Sequence, residues 1–393
     1  MNNNPPLIRR LIRTLLPSRT LATYMAKMHI TRFLGILIGL SAVLQLLDLL
    51  GTSDDIMAAH GATIGSLVTY VALRMPQLIS QFAPFVALLA TLLTLATLNQ
   101  HSEVIIMKAT GLSAHRILLP IGIASFLIAT SHLAFNELVV VKANAELEYW
   151  ADNDFAVDLP PAPDTRGRIW LTEGNTLVLI GSVSRNRNRV VLDNVSLFER
   201  GEHGRLTAMV RADFAWNQNG KWTMHDVRRF NLETHVMEIH DQEDWGIKTP
   251  PERFMALTIR PDHVTFLKLR ASIKQLENEG LPTERLQASL LQKIAAPAAT
   301  LLMPLLGAIA AFGIHRAGNL FMRLIGGMAL GFSFFVADNF MLSIGEFGVV
   351  PPLIAAWAPF TLFLLIGYAV LFNTEEGTIR EKRRDIEPKA GTY

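Results

Sequence analysis

Six long apolar segments constrain this chain more than any other feature of its sequence. A bilayer core of roughly 30 Å needs about 20 mostly apolar residues in a helix, and half of the 393 residues are hydrophobic. The pattern predicts an α-helical membrane protein with three spans, a long gap and three more spans. Within the second segment, Pro76 and Pro84 predict a bend. The segments are Phe33–Gly51, Leu67–Leu98, Ile117–Phe135, Ile294–Phe312, Leu320–Ser343 and Leu353–Phe372.

Basic residues assign a side of the membrane to each connecting segment, because lysine and arginine are enriched in short cytoplasmic loops. Residues 1–32 are basic and carry no acid, whereas the loop after the first span carries Asp54 and Asp55 and no base. We therefore expect both termini in the cytoplasm and the long central gap outside. The basic residues behind this expectation are Arg9, Arg10, Arg13, Arg19, Lys27, Arg32, Lys108, Arg116, Arg316 and Arg323.

The central gap contains short runs rich in Val, Ile, Leu and aromatic residues. The runs "RIWLTEGNTLVLIGSV", "RVVLDNVSLFER" and "RLTAMVRADFAW" are separated by turn-forming residues such as Gly174-Asn175. Such runs are typical of strands joined by hairpins, and several strands without helices predict a sandwich or jelly roll. The alternation in "TLVLIGSV" leads us to expect Leu179 on the inner face and an apolar interior suited to acyl chains.

These observations divide the chain into four parts. Residues 1–136 hold the cytoplasmic N-terminus, three spans and a short amphipathic segment. Residues 137–265 form the inserted β domain, residues 266–372 a linker helix and three further spans, and residues 373–393 a charged cytoplasmic tail.

The sequence carries no sign of catalytic or cofactor chemistry. It has no cysteine, which removes disulfides and thiolate sites, and no G-x-x-x-x-G-K-[ST] loop, so ATP hydrolysis would need a separate protein. Four histidines are scattered without metal-ligand spacing, so we expect no metal and no cofactor. They are His101, His115, His132 and His315.

The segment "NQHSEVIIMKATGLSAHR" lies between the second and third spans and is too polar to cross a bilayer. We expect Ser102 to cap a short helix that Gly111 ends, and Ser113 to cap the next helix. Two turns are unstable alone in water, so another surface must cover the helix. It either lies on the lipid or docks as a coupling helix, about 102–112, on a cytoplasmic ATPase.

Several stretches of the chain resemble the LptF/LptG family of lipopolysaccharide export permeases. The resemblance rests on "MPQLISQFAPFVALLATLLTLATLNQHSEVIIMKATGLS", on "RIWLTEGNTLVLI" in the insert, and on "KIAAPAATLLMPLLG" and "GVVPPLIAAWAP" in the last spans. It covers nearly the whole chain, and the "ELVV" and "PPLIAAWAP" stretches favour the LptG branch.

The resemblance implies a transporter subunit of the bacterial inner membrane rather than an enzyme. It implies a heterodimer with an LptF-type paralogue, on a dimer of the LptB-type ATPase and joined by an LptC-type bitopic periplasmic protein. Lipopolysaccharide would enter between the first span of one subunit and the fifth span of the other. It would then pass into the β-jelly roll and a periplasmic bridge.

Two sets of residues follow from this interpretation. The ATPase-coupling set is Glu103, Val104, Met107, Lys108 and Gly111. The substrate-path and gate set is Gln45, Asp48, Arg74, Gly326, Gly327, Gly331 and Asp338. Family members of the LptG branch have a Lys where this chain has Gln45, so Arg74 is our candidate for the phosphate contact and Lys142 is a second one. Either could instead be an interface anchor, the role that we favour for Lys142. The glycines could instead pack the fifth span within its own subunit.

Three rival functions remain at this stage. Asp48 and Asp338 in apolar segments suggest an intramembrane aspartyl protease, but neither has the expected glycine-flanked G-x-G-D context. A lipoprotein-extracting permease would carry four spans with its large domain after the first. A structural envelope scaffold would need no coupling helix.

Overall fold

The computed structural model describes residues 18–157, 159, 169–186, 189–201, 204–218, 221–232, 234–247, 249–251, 254, 259–278, 280, 282–313 and 320–386. Of the residues used above, Arg9, Arg10, Arg13, His315 and Arg316 lie outside these ranges, as does the end of the charged tail. In the described part, six helices are long and apolar enough to cross a membrane. The six predicted spans are therefore confirmed.

Most spans are longer helices than their apolar segments. The first helix has 40 residues, about 60 Å at 1.5 Å per residue, because its hydrogen-bonding pattern continues beyond the apolar core. Pro76 and Pro84 lie inside one continuous helix. The helices are α1 (Arg19–Ala58), α2 (Ile64–Gln100), α3 (Glu103–Ala109), α4 (Ala114–Phe135), α5 (Val141–Asp152), α6 (Phe266–Asn278), α7 (Glu284–Ala308), α8 (Leu320–Glu346) and α9 (Pro352–Ile386).

Two spans end in a π turn, which holds one residue more than an α turn. Asn136–Val140 joins α4 to α5, and Ile309–Gly313 follows α7. The segment predicted as one linker helix is divided at Gly280 (φ +70°) into α6 and the start of α7, because that conformation ends a helix.

The chain divides into two compact units. The helical unit comprises the residues up to Leu49, Arg74–Val140 and the residues from Glu284 onward, and the β unit comprises Leu50–Leu73 and Val141–Thr283. In the helical unit, α2 and α7 supply most of the buried core through small side chains such as Ala87 and Ala299. Small residues let helices approach closely, and packing contacts hold helices together in lipid.

The β unit contains one antiparallel sheet of six described strands in chain order, which confirms the predicted β domain. Each strand is joined to the next by a short connection, so the described sheet is a meander. Its buried face is filled by aliphatic residues and by Trp222 and Phe254. The strands are β1 (Ile169–Glu173), β2 (Thr176–Asn186), β3 (Arg189–Arg200), β4 (Leu206–Gln218), β5 (Lys221–Asn231) and β6 (Met237–Asp244).

A line of irregular pairing crosses this sheet from β2 to β6, and we name it the crease. At this line one facing pair of residues is missing from the ladder between neighbouring strands, and between β4 and β5 two consecutive pairs are missing. Asn194 and Asp226 have positive φ angles of 51° and 55°, a conformation that Asn and Asp tolerate better than most residues. The crease consists of Gly181, Asn194, Asp213, Asp226 and Asp241.

The crease shifts the alternation of buried residues by one position. In β3, Leu192 is buried before the crease and Val195 after it, three positions apart rather than two. At Gly181 the backbones approach so closely that an added Cβ would lie 2.9 Å from the Asn194 Cβ atom. The register is the same on both sides of the crease, so the crease is a local break in the ladder and not a bulge with an extra residue on one strand.

Candidate functional site

Helix α3 is fixed to its own chain by two residues that we predicted as partner contacts. Val104 and Met107 are only 3% and 6% exposed, in a cluster that includes Leu98 and Ile117. They stabilise the position of the helix and do not offer a surface. The apolar surface comes from Ile105 and Ile106, which are 63% and 61% exposed.

The two ends of α3 differ in whether they match the prediction from the sequence. Ser102 does not cap the helix: it has a left-handed conformation (φ 58°) and its side chain makes no capping hydrogen bond. Gly111 ends the helix as predicted, with φ +86°, and its N–H donates to the Lys108 carbonyl (3.0 Å). Ser113 caps α4, since its side chain accepts from the Arg116 N–H (3.4 Å).

Glu103 is held at the start of α3 by a contact from another helix. The Tyr24 hydroxyl of α1 donates to the Glu103 Oε1 atom (3.3 Å). A carboxylate in the first turn also suits the positive end of the helix dipole. The helix therefore presents an oriented acidic group next to two exposed isoleucines.

Asp48 and Arg74 of the predicted substrate path are brought together, although 26 residues separate them. The Arg74 Nη2 atom lies 3.1 Å from the Asp48 Oδ1 atom, and the Arg74 Nε–H donates to the same carboxylate. The Arg74 Nη1 atom donates to Gln77 Oε1 (2.5 Å). A guanidinium has five N–H groups, so two remain for an anion that reaches this partly exposed pair.

Gln45 does not accompany Asp48 at the surface. It is 3% exposed, and neither atom of its amide has a hydrogen-bond partner in the described part of the chain. Ser41, one turn away, is 2% exposed and its hydroxyl is also unpaired there. The inner face of α1 therefore buries polar groups that are costly to leave unpaired.

Two of the predicted gate glycines pack against α2 of the same chain. An added Cβ at Gly331 would lie 2.1 Å from Leu88 Cδ2, and one at Gly327 would lie 2.7 Å from Leu92 Cδ2. Gly326 lies beside them and is half-buried. These contacts agree with the alternative role of the glycines, which is to pack the fifth span within its own subunit. A role of these glycines in a substrate gate stays a proposal.

Asp338 is paired within the chain. Gln292 of α7 donates to its Oδ2 atom (2.8 Å). One helical turn earlier in α7, the Ser289 hydroxyl donates to Glu346 (3.1 Å). The neighbouring Lys293, 8% exposed, lies 3.6 Å from Glu137, at the π turn of the third span. Span four thus joins spans three and five through adjacent polar residues.

The described histidines form no metal site. No group of three or more potential metal ligands occurs in the described part of the chain. His132 is packed between spans, 2.8 Å from Ser80 Oγ and 3.4 Å from Thr300 Oγ1. Sequence reasoning missed His29, which is fully buried 3.0 Å from Ser125 Oγ; a polar residue in an apolar run was the available signal.

The interior of the β unit holds a cavity of about 220 Å³ with a charged lining. Arg229 bonds Glu199 (3.0 Å) and Glu243 (2.6 Å) there. Burial acts to lower the pKa of the Arg229 guanidinium, but the two carboxylates outweigh burial and raise that pKa above its ordinary value. Next to this cluster, Thr249 donates to Glu173 (2.7 Å), so the segment after β6 closes over the inner face beside β1.

Leu179 was predicted to face inward and does not. Val178 and Ile180 are buried in the core, and successive residues of a strand face opposite sides, so Leu179 lies on the outer face. The error has a simple cause: both alternating positions of this strand are apolar, and the pattern alone does not identify the inner one.

The geometry suits a transporter subunit. It combines six spans, a short helix with two exposed isoleucines, ion pairs between spanning helices and an inserted β domain. The sequence profile described as "Lipopolysaccharide export system permease LptF/LptG" matches residues 23–373, which includes both groups of spans and the sheet.

Two relatives of known name indicate the same family. The chain is 24% identical over 341 residues to the lipopolysaccharide export system permease protein LptG of Haemophilus influenzae, covering 84% of this chain and 91% of that protein. It is 25% identical over 347 residues to the Escherichia coli protein of the same name, covering 86% and 93%. The chain therefore belongs to the LptF/LptG family of lipopolysaccharide export permeases.

Proposed function

We propose that this chain is the LptG-type permease subunit of an exporter that extracts lipopolysaccharide from the outer leaflet of the inner membrane. The observation that carries the proposal is the family match across both groups of spans and the insert. The relatives at 24–25% identity are LptG proteins, which favours that branch over LptF.

The protein is a multi-pass inner-membrane transporter subunit, not an enzyme. The aspartyl protease alternative would require two carboxylates that share a proton. Asp48 is instead bound to Arg74 and Asp338 to Gln292, which argues against it. The family implies an export system with an ATPase and further Lpt partners.

The orientation and the partners are the finer part of the proposal. Lys108 and Arg116 flank α3, and the positive-inside rule places this end in the cytoplasm, with the β unit in the periplasm. There α3 docks on one protomer of an LptB-type ATPase dimer through Ile105, Ile106 and Glu103. An LptF-type paralogue and an LptC-type protein complete the complex.

The substrate path lies along α1 and α8. Their exposed apolar faces meet the partner subunit or lipid, and the Asp48–Arg74 pair meets lipopolysaccharide phosphates through the two remaining N–H groups of Arg74. Arginine suits this role because its planar fork binds phosphate at two points.

Reconstitution tests the proposal. The chain, the ATPase and the paralogue are placed in proteoliposomes with lipopolysaccharide, and release to a soluble periplasmic acceptor is measured with ATP and with a non-hydrolysable analogue. We expect release only with ATP hydrolysis and with all three proteins. The proposal must be abandoned if release does not depend on this chain, or if a lipoprotein is released in place of lipopolysaccharide.

A further inference from the structure

The outer face of the sheet, opposite the packed core, carries a continuous row of large apolar side chains. Facing pairs in adjacent strands link Leu177 to Phe198, Phe198 to Met209, Met209 to Phe230 and Phe230 to Met237. Four interstrand steps of about 4.8 Å make this row roughly 19 Å long. We name it the apolar row.

The apolar row is unusual for an exposed sheet face. An antiparallel sheet that packs on one side is normally polar on the other, but Met209 and Met237 are 37% and 60% exposed. Trp170, 55% exposed, extends the row by stacking on Phe198 at 5.9 Å. Large exposed apolar patches mark binding surfaces.

Two arginines lie directly beside the apolar row on the same face. Arg211 and Arg228 follow Met209 and precede Phe230 by two positions, and they face each other across β4 and β5. Both are exposed. Like charges in this arrangement destabilise a sheet, so an anion placed between them would be stabilising.

The protein itself does not supply that anion in the described structure. The nearest carboxylates along these strands are Asp213 and Asp226, two residues away at the crease, and Asp241 lies beyond them on β6. None of the three forms an ion pair with either arginine in the described part of the chain. They border the arginines on the side away from the apolar row.

We infer that this outer face binds one molecule of lipopolysaccharide, an inference that rests on the proposed function. A lipid phosphate lies between Arg211 and Arg228, and an acyl chain lies along the apolar row. This site is distinct from the cavity on the inner side of the sheet, which the Arg229 cluster lines.

The shape of the surface favours a lipid over a protein partner. The apolar row is narrow and long, with two facing arginines at one edge, which matches an amphiphile with an anionic head and an extended chain. At the other edge, Arg200 lies two positions beyond Phe198, and its Nε–H donates to the Asn175 carbonyl (3.4 Å). A rigid protein surface would need broad complementarity on both sides of the row. Toward β1, the half-buried Ser196 is the polar neighbour of Arg211.

Photocrosslinking in the intact complex tests the inference. A photoreactive phenylalanine replaces Met209 in the chain, which is purified with its partner subunits in nanodiscs containing lipopolysaccharide. The matched control carries the same group at Lys221, an exposed β5 position at the far end from the row. We expect capture at position 209 and at least tenfold less at position 221.

Charge variants then test the phosphate contact. Arg211→Gln with Arg228→Gln should lower capture at position 209 about tenfold, whereas the double lysine variant should keep most of it, since charged hydrogen bonds to phosphate are strong. Lipopolysaccharide without lipid A phosphates should be captured weakly by both the native and the glutamine versions.

Three results would overturn the inference: equal capture by the double glutamine variant, equal capture of phosphatidylglycerol, or capture of a protein instead of a lipid. ATP-driven release by the native complex is measured in parallel. If release is normal and capture fails, only this site is wrong; if release also fails, the proposed function falls with it.

Discussion

Two pairs of spans in the helical unit differ sharply in how much of their apolar surface is covered. In the most apolar stretches of α2 and α7, 56% and 61% of the residues are buried, against 17% in each of α1 and α8. All four helices are apolar enough to span a membrane. Hydrophobicity therefore does not distinguish the scaffold from the exposed spans, whereas the buried fraction does.

The physical reason is that lipid tails are as apolar as leucine. In a membrane, an uncovered face such as Leu46 or Phe340 (62% and 63% exposed) carries no penalty. Only packing, hydrogen bonds and close approach hold spans together. The covered pair α2 and α7 is thus a scaffold, and the bare pair α1 and α8 is available to lipid or to another subunit.

The largest expected effect breaks the scaffold itself. Gly307→Leu on α7 places a side chain where a Cβ alone would meet Thr91 Cγ2 of α2 at 2.9 Å, so we expect about 3 kcal/mol of destabilisation from overpacking and a clear fall in the thermal midpoint in detergent. Gly39→Leu is the control on α1, where an added Cβ meets nothing within 4 Å. A lower midpoint for Gly39→Leu alone would reverse the assignment of scaffold and exposed span.

An effect of intermediate size is expected when the buried and the exposed side of α3 are changed separately. Val104→Ser removes a buried aliphatic side chain, at about 2 kcal/mol, and should lower both the thermal midpoint and ATPase co-purification. Ile105→Ser should leave the midpoint unchanged and still reduce co-purification about tenfold, because Ile105 is exposed. If Ile105→Ser retains the ATPase at the native yield, α3 lies on lipid rather than on a partner.

The smallest effect concerns the Asp48–Arg74 pair. Since the side chains are 21% and 30% exposed, Asp48→Asn should change stability by at most about 1 kcal/mol. It should raise lipopolysaccharide affinity a few-fold by removing a competitor for Arg74, and Arg74→Gln should lower it. Equal affinity for both variants, measured by titration in nanodiscs at low salt, would exclude Arg74 from the substrate path.

The parts of the fold that composition controls were predictable. Six spans and an inserted β domain follow from apolar length and from strand-turn alternation, and Gly111 ends α3 because few other residues adopt its positive φ. The pairings were not predictable. Asp48 with Arg74 and Asp338 with Gln292 depend on which helices become neighbours, and no local pattern carries that information.

Local ambiguity explains the remaining differences. Helix α3 has apolar residues at four consecutive positions, Val104 to Met107, so the sequence alone does not separate its buried side from its exposed side. Only the packing of Val104 and Met107 against the neighbouring helices does so. In β2 the same problem placed Leu179 on the wrong face.

The crease also has a consequence for how the sheet exchanges its amide hydrogens. Each neighbouring pair of strands from β2 to β6 lacks one or two facing pairs at one common level, so protection from solvent is interrupted along a single line rather than at scattered sites. Exchange at Asn194, Asp213 and Asp226 should be faster than at Val195, Val210 and Met224, which have facing partners on both sides. The sheet would then move as two halves joined at the crease. Each half would keep its own protected hydrogen bonds while the angle between the halves changes.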